Sequence, residues 1–185
     1  ERFGILESKR SFRYQPGRVS GFTYGIRMNN DPSSLSSYIE WGCSNQTDEY
    51  MFQIRGIQLS IIRRSVIPLP TSLLERMGLE EDDQRLVYPI GLGNSEPLWE
   101  TVIPSSKFTG DPLNGEGDSG YSLNLKNVTM FKIEFSWYGA IGAKFYAYVP
   151  SGNGDCRWVL MHTLVIENGL EQPILKNPDF KFKYL

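Results

Sequence analysis

The chain has 185 residues and a mass of 21.1 kDa, with 40% hydrophobic and 13% aromatic side chains. A single domain of this length buries about 70% of its extended surface and needs no staples. Nineteen basic against 21 acidic side chains leave a net charge of -2, which gives no reason to expect a direct nucleic-acid role. No apolar run reaches transmembrane length and no leader pattern occurs, so no membrane insertion is expected.

Residues 1–18 read as an N-terminal arm or edge strand, with Phe12 and Tyr14 on one side and a Pro16-Gly17 turn at the end; residues 19–185 read as one domain. Arg2, Lys9, Arg10, Arg13, Arg18 and Arg27 crowd this start, which suits a solvated face or an acidic neighbour. Glu1 and the strand-like KFKYL ending lead to the expectation of a piece of a longer polypeptide. Val19 to Met28 is a strand, stopped by Asn29-Asn30-Asp31-Pro32. Leu35 to Gly42 is the next, broken by the polar run from Ser44 to Glu49. Tyr50, Phe52 and Ile54 then line one strand face, Gly56 turns the chain, and Leu59, Ile61 and Ile62 lead into Arg63 and Arg64. Long arginine stems cover apolar surface while their charges stay in water. The two prolines of residues 66–70 end the strand.

Thr71 to Glu81 is the one helical window, capped by Thr71 or Ser72, apolar at Leu73, Leu74, Met77 and Leu79, and ended by Gly78. The runs RLVYPIGLG and PLWETVIP are short strands or ordered loop, and residues 107–124 form an extended surface connection. Strict alternation then resumes. Phe131, Ile133, Phe135 and Trp137 share one face, Gly139 to Gly142 turns the chain, and Ala143, Phe145, Ala147 and Val149 repeat the pattern. Arg157 to Ile166 completes a meander, and Phe180, Phe182 and Tyr184 mark a terminal strand. The class is all-β, an antiparallel sandwich with jelly-roll-like or Greek-key closure, one short helix and long loops, in preference to a closed barrel.

No motif supports catalysis, so no enzyme and no cofactor are expected. His162 is read as a structural imidazole sharing a face with Trp158, Leu160, Leu164 and Ile166; a zinc site needs Cys43, Cys156 and a carboxylate to converge around it. Those two cysteines are otherwise read as two isolated buried thiols, in preference to one disulfide. The GEGDSG run offers Asp111, Glu116 and Asp118 to calcium but lacks the ligand spacing of a calcium loop. Glu134 and Glu167 are the one acid and base pair to weigh for glycoside hydrolysis. Trp41, Trp99, Trp137 and Tyr138 are the candidates for a sugar-stacking platform, although alternation assigns Trp137 to the core. Asn45-Gln46-Thr47 and Asn127-Val128-Thr129 match glycosylation spacing.

The run DPLNGEGDSGYSLNLKNVTMFKIEFSWYGAIGAKFYAYVP, with WVLMHTLVIENGL and NPDFKFKY after it, resembles a recurring β-rich domain of virion structural proteins of tailed bacteriophages and related viruses. That family shows an acidic, glycine-rich phrase ending in Ser-Gly, an F-x-W-x-G strand and turn, a histidine-bearing strand and a closing N-L-P-x-R-Y-like strand. Here these correspond to Asn114 to Gly120, Phe135 to Gly139, His162, and Asn177-Pro178 with Tyr184. Asn114 replaces the usual Asp, and Lys183 stands where Arg is frequent. The resemblance implies a virion location in a tail, baseplate, fibre or head decoration, with contacts to itself or to neighbouring virion proteins. The alternative is a carbohydrate- or receptor-binding module of a viral spike. Candidate contact residues are Arg10, Arg13, Arg18, Arg63, Arg64, Tyr138, Tyr146 and Tyr148.

Overall fold

Period-two alternation of apolar and polar side chains becomes a set of antiparallel strands, because each strand can then bury one face. The structure is a computed structural model describing residues 4–29, 36–90, 96–136, 142–151, 154–164 and 173–185. The described strands are β1 (Leu6–Glu7), β2 (Ser20–Ile26), β3 (Tyr38–Ser44), β4 (Asp48–Arg55), β5 (Gln58–Ser65), β6 (Gln84–Val87) and β7 (Leu98–Pro104), then β8 (Thr129–Phe135), β9 (Ala143–Pro150), β10 (Cys156–Leu164) and β11 (Lys181–Tyr184). They form a seven-stranded sheet in the order β1-β11-β3-β4-β5-β7-β6 and a four-stranded sheet in the order β10-β9-β8-β2. All pairings are antiparallel, and the two sheets make a sandwich.

The layers are joined by aromatic rings from both inner faces. Trp41 lies 5.1 Å from Phe131, Phe52 lies 5.0 Å from Phe131 and 5.5 Å from Phe145, and all four are fully buried. Burying each such side chain is worth roughly 2–3 kcal/mol. Phe180 closes one end of this cluster against Phe135, with ring centroids 5.0 Å apart. The N-terminal segment runs beside β11: Leu6 pairs with Tyr184, and Phe12 bridges to Phe180.

Helix α1 (Thr71–Arg76) is shorter than its sequence window. Gly78 takes φ +68°, which ends the helix, and residues 81–83 form a separate 3-10 turn. Its N-cap is Pro70 rather than Thr71 or Ser72, and the Thr71 hydroxyl donates instead to Glu81 Oε1 at 2.6 Å. Leu73, Leu74, Met77 and Leu79 are buried in the common core as the pattern requires.

Three expectations about facing are corrected. Trp158 and His162 do not share a face, because the register of β10 against β9 shifts between Leu160 and His162. Two residues of the bulged strand there oppose one of its partner, so Trp158 and Leu160 point outward while His162 points into the core. The charges of Arg63 and Arg64 are not wet: both side chains are buried, one on each face of β5. Cys43 is buried but Cys156 is exposed on the other sheet, so the cysteines neither pair nor converge on His162. Trp137, Tyr138 and the expected turn at residues 139–141 lie outside the described residues, as do Ile166 and Glu167.

Candidate functional site

The outward face of the four-stranded sheet carries the exposed aromatic side chains of the meander. Cross-strand register places Met130 opposite Tyr148 and Tyr148 opposite Trp158; the three are 38, 39 and 37% exposed. Tyr148 and Trp158 rings meet at 5.1 Å with a 51° tilt. In the adjoining row, Lys132 Nζ lies 4.5 Å over the Tyr146 ring and 4.7 Å over Trp158. This cation is also 2.9 Å from Glu134 Oε1. Partial burial pushes the Tyr146 phenol above its ordinary value, and the Glu134 carboxylate that accepts its hydrogen bond adds to the shift. Beside these residues, edge strand β2 presents only Gly21, Thr23 and Gly25, so the aromatic rows stand next to a low, open strip.

Of the expected contact residues, the structure brings Tyr146 and Tyr148 together here, and Tyr138 lies outside the described residues. Trp158, Met130 and Lys132 were missed. The signal for Trp158 was its parity with Tyr148, hidden by the unforeseen bulge. Arg10, Arg13 and Arg18 are exposed on the N-terminal segment that leads into β2. Trp41 belongs to the core, and Trp99 is half-buried on β7 of the other sheet.

The outward face of the seven-stranded sheet has the opposite character. One row runs Lys181, Ser44, Glu49, Arg64, Glu100 and Arg85 across β11, β3, β4, β5, β7 and β6. Arg64 contacts Glu40 Oε1 at 2.6 Å, Glu49 Oε2 at 2.7 Å and Glu100 Oε2 at 2.7 Å. Lys183 Nζ holds the other Glu49 oxygen at 2.6 Å and donates to the Ile90 carbonyl at 3.2 Å. Arg85 takes the second Glu100 oxygen at 2.8 Å, and Gln53 donates to Glu40 at 2.7 Å. Burial works to lower the Arg64 pKa, but the three carboxylates outweigh it and hold the guanidinium well above its ordinary value. For Glu100, burial works upward and the two arginines win, leaving it below the usual carboxylate range. Each of these carboxylates is engaged by a cation, so the cluster ties six strands together. Arg63, on the inner face, donates to the carbonyls of Ile67 and Ile174, and burial lowers its pKa to about 10.

A third feature is a polar cleft of about 650 Å³ at the end of this row, between the N-terminal arm, the β3–β4 turn and residues 176–181. Asn45 builds the turn: its Oδ1 accepts from the Thr47 and Asp48 N–H groups, and its Nδ2 donates to the carbonyls of Asn177 and Asp179. That amide is fully occupied, which withdraws it as a glycosylation acceptor. Asp48 accepts from the Ser65 hydroxyl at 2.6 Å and from the N–H groups of Lys176 and Asn177. Ser44 borders the cleft but is 1% exposed, and its hydroxyl is buried with no hydrogen-bond partner among the described residues.

The other chemical candidates resolve into fold. Asp111 accepts from the N–H groups of Leu113 and Ser119, and a Cβ on Gly117 would sit 2.3 Å from its carboxylate. Its burial works to raise the pKa, but these donors hold it below the usual range. The carboxylate therefore folds the loop on itself, and among the described residues no cluster of three or more His, Cys, Asp or Glu groups fits a metal. The Thr109 N–H donates to His162 Nδ1 at 3.2 Å, while burial beside Phe108 and Phe145 lowers the imidazole pKa to about 4. Glu134 pairs with Lys132 on the open sheet face. Among the described residues no helix is long and apolar enough to cross a membrane. No family model matches this chain, and no curated protein is significantly similar to it.

Proposed function

We propose that this chain is a non-enzymatic structural domain of a virus particle, associating through the outward face of its four-stranded sheet. The observation that carries this is the uncovered row of Met130, Tyr148 and Trp158 beside the low strip of Gly21, Thr23 and Gly25. A partner backbone can approach such a strip closely, and burying the rings supplies the driving force. The partner of choice is a second copy. Glu134 faces Lys144 across β8 and β9, so in a two-fold pairing the lysine of one copy meets the glutamate of the other. Four strands about 4.8 Å apart and seven residues long at about 3.4 Å each give a face on the order of 450 Å² per copy. That is at the small end of specific interfaces, so the association is weak and gains from repetition in a particle.

The virion setting is supported by the sequence resemblance, and the finer fold reading by strand order. Strands β3, β4 and β5 follow one another, and β11 returns to lie beside β3, which is the spatial order of a Greek key and suits a jelly-roll-like closure. Sedimentation of the intact chain from about 10 to about 200 μM tests the association. A concentration-dependent dimer that Trp158→Ser abolishes is expected. A chain that stays monomeric throughout, and crosslinks to no other protein of its particle, overturns the reading. Glycan or receptor binding on a viral spike is the second reading, and the polar cleft beside the N-terminal arm favours it.

A further inference from the structure

We infer that the open edge of β2 accepts an extended segment of another protein chain, one whose strand is bracketed by acidic side chains. The site is the rim of the four-stranded sheet rather than its outward face, so it goes beyond face-to-face association and is tested separately from it.

Two sheets have four edges, and three of them are blunted here. β1 is two residues long and β6 four, with Arg85 exposed on it. β10 is already engaged by residues 109–111. Its Leu160 and Met161 carbonyls accept from the Asp111 and Gly110 N–H groups at 2.9 and 3.0 Å, and its Thr163 N–H donates to Thr109 Oγ1 at 2.9 Å. Short strands, edge charges and covering loops are the ordinary defences against further pairing. β2 has none of them. Ser20–Ile26 includes no charged residue and no proline, runs against β8 without a bulge, and pairs with no other strand among the described residues. About three or four of its residues therefore turn an N–H and a carbonyl outward, a ladder that an added strand completes.

The flanks of this edge leave room for such a strand. A Cβ on Gly21 or Gly25 would come no closer than 3.6 Å to any neighbour, so the outer side of β2 is bare. On the inner side, Phe12 packs between Phe22 of β2 and Phe182 of β11, with centroids 5.5 and 5.0 Å away, yet stays 50% exposed. An apolar side chain of the added strand covers this ring, while the backbone bonds supply the rest of the affinity.

Charge selects the occupant. Exposed Arg18 precedes β2 and exposed Arg27 follows it, and neither forms an ion pair among the described residues. Arg27 Nε donates to the carbonyl of Lys126, itself exposed, which adds a second cation at that end. A second copy joined by two-fold symmetry would run antiparallel to β2. Centred on Thr23, that pairing sets Arg18 opposite Met28 and Arg27 opposite Val19, leaving two arginines side by side at each end. Like charges so placed repel. A strand with acidic residues about nine positions apart instead meets a cation at both ends, whichever way it runs.

The test titrates the intact chain, followed by amide NMR, with a blocked peptide of alternating valines and threonines flanked at each end by two glutamates. A dissociation constant near 100 μM is expected, with shifts centred on residues 19–27 and slowed hydrogen exchange at alternate β2 amides. The same peptide with lysines for glutamates should bind at least about 10-fold more weakly, and N-methylating its central residues should abolish binding. Arg18→Glu with Arg27→Glu, both at exposed positions, should keep the native spectrum and reverse the preference between the two peptides. Trp158→Ser should leave peptide binding unchanged even where it abolishes face-to-face association. Equal binding of the two peptides overturns the acidic partner. Shifts that leave β2 untouched, or no binding up to about 1 mM, overturn the site. Protection of β2 amides that grows with chain concentration in the absence of peptide puts a second copy on this edge and overturns the assignment.

Discussion

The two outward faces of this sandwich invert the usual distribution. The seven-stranded sheet buries the centre of its charged row, with Glu40 and Glu49 fully inaccessible and Lys183 only 2% exposed, whereas the four-stranded sheet keeps aromatic rings in the open. An ionic row in low dielectric is tolerated only when every partner is present, so the first face specifies register across many strands. A row of exposed rings demands nothing of the fold, and its energy is released only when something covers it. One face is therefore committed to structure and the other is open to association.

The sharpest way to break this contrast is Arg64→Ala, which leaves Glu40, Glu49 and Glu100 without their shared cation. A loss of about 3–5 kcal/mol in urea-unfolding free energy is expected. A loss below about 1 kcal/mol would mean that water reaches the row and that the face is open after all.

Acid probes the interior between the faces. His162 is neutral in the fold with a pKa lowered to about 4, against about 6.5 when unfolded. The unfolded chain takes up the proton first, so stability is full above about pH 6.5. It should fall by on the order of 3 kcal/mol as the pH drops to about 4. Imidazole NMR titration checks this, and a ring titrating near 6.5 would show that its burial has been overrated.

Gly42→Ala comes next. A Cβ there would lie 2.1 Å from the Tyr50 carbonyl and 2.8 Å from Met51 Cα, so the backbone pair must move apart. The expected loss is about 1–3 kcal/mol in the same unfolding assay. The smallest effect belongs to the open face: Tyr148→Ser with Trp158→Ser should change monomer stability by less than about 1 kcal/mol while removing self-association in sedimentation. A large loss of monomer stability instead would place those rings with the structural face.

Much of the sandwich was legible because its signal is local. Phe131, Ile133 and Phe135, then Ala143, Phe145, Ala147 and Val149, alternate without interruption and all point inward. Phe180 and Phe182 likewise announced the strand that closes the large sheet. Arg63 and Arg64 were opaque for a physical reason. Arg63 meets the carbonyl of Ile174, far off in the chain, and Arg64 meets Glu49 and Glu100, which only the register of three strands puts beside it. The polar cleft was illegible for the same reason, since residues near 7, 45 and 177 meet only after folding. Trp158 failed differently: its local pattern was clear, but one extra residue reversed its meaning.

That residue gives strand length a role of its own. On β10, the sequence before the irregularity is written in one phase and the sequence after it in the other. Deleting a single residue between Leu160 and His162 would leave the composition nearly untouched, yet it would force either the indole inward or the imidazole out. What this domain displays to its surroundings is thus set by counting as much as by chemistry, and a one-residue insertion or deletion there is a larger change than most substitutions.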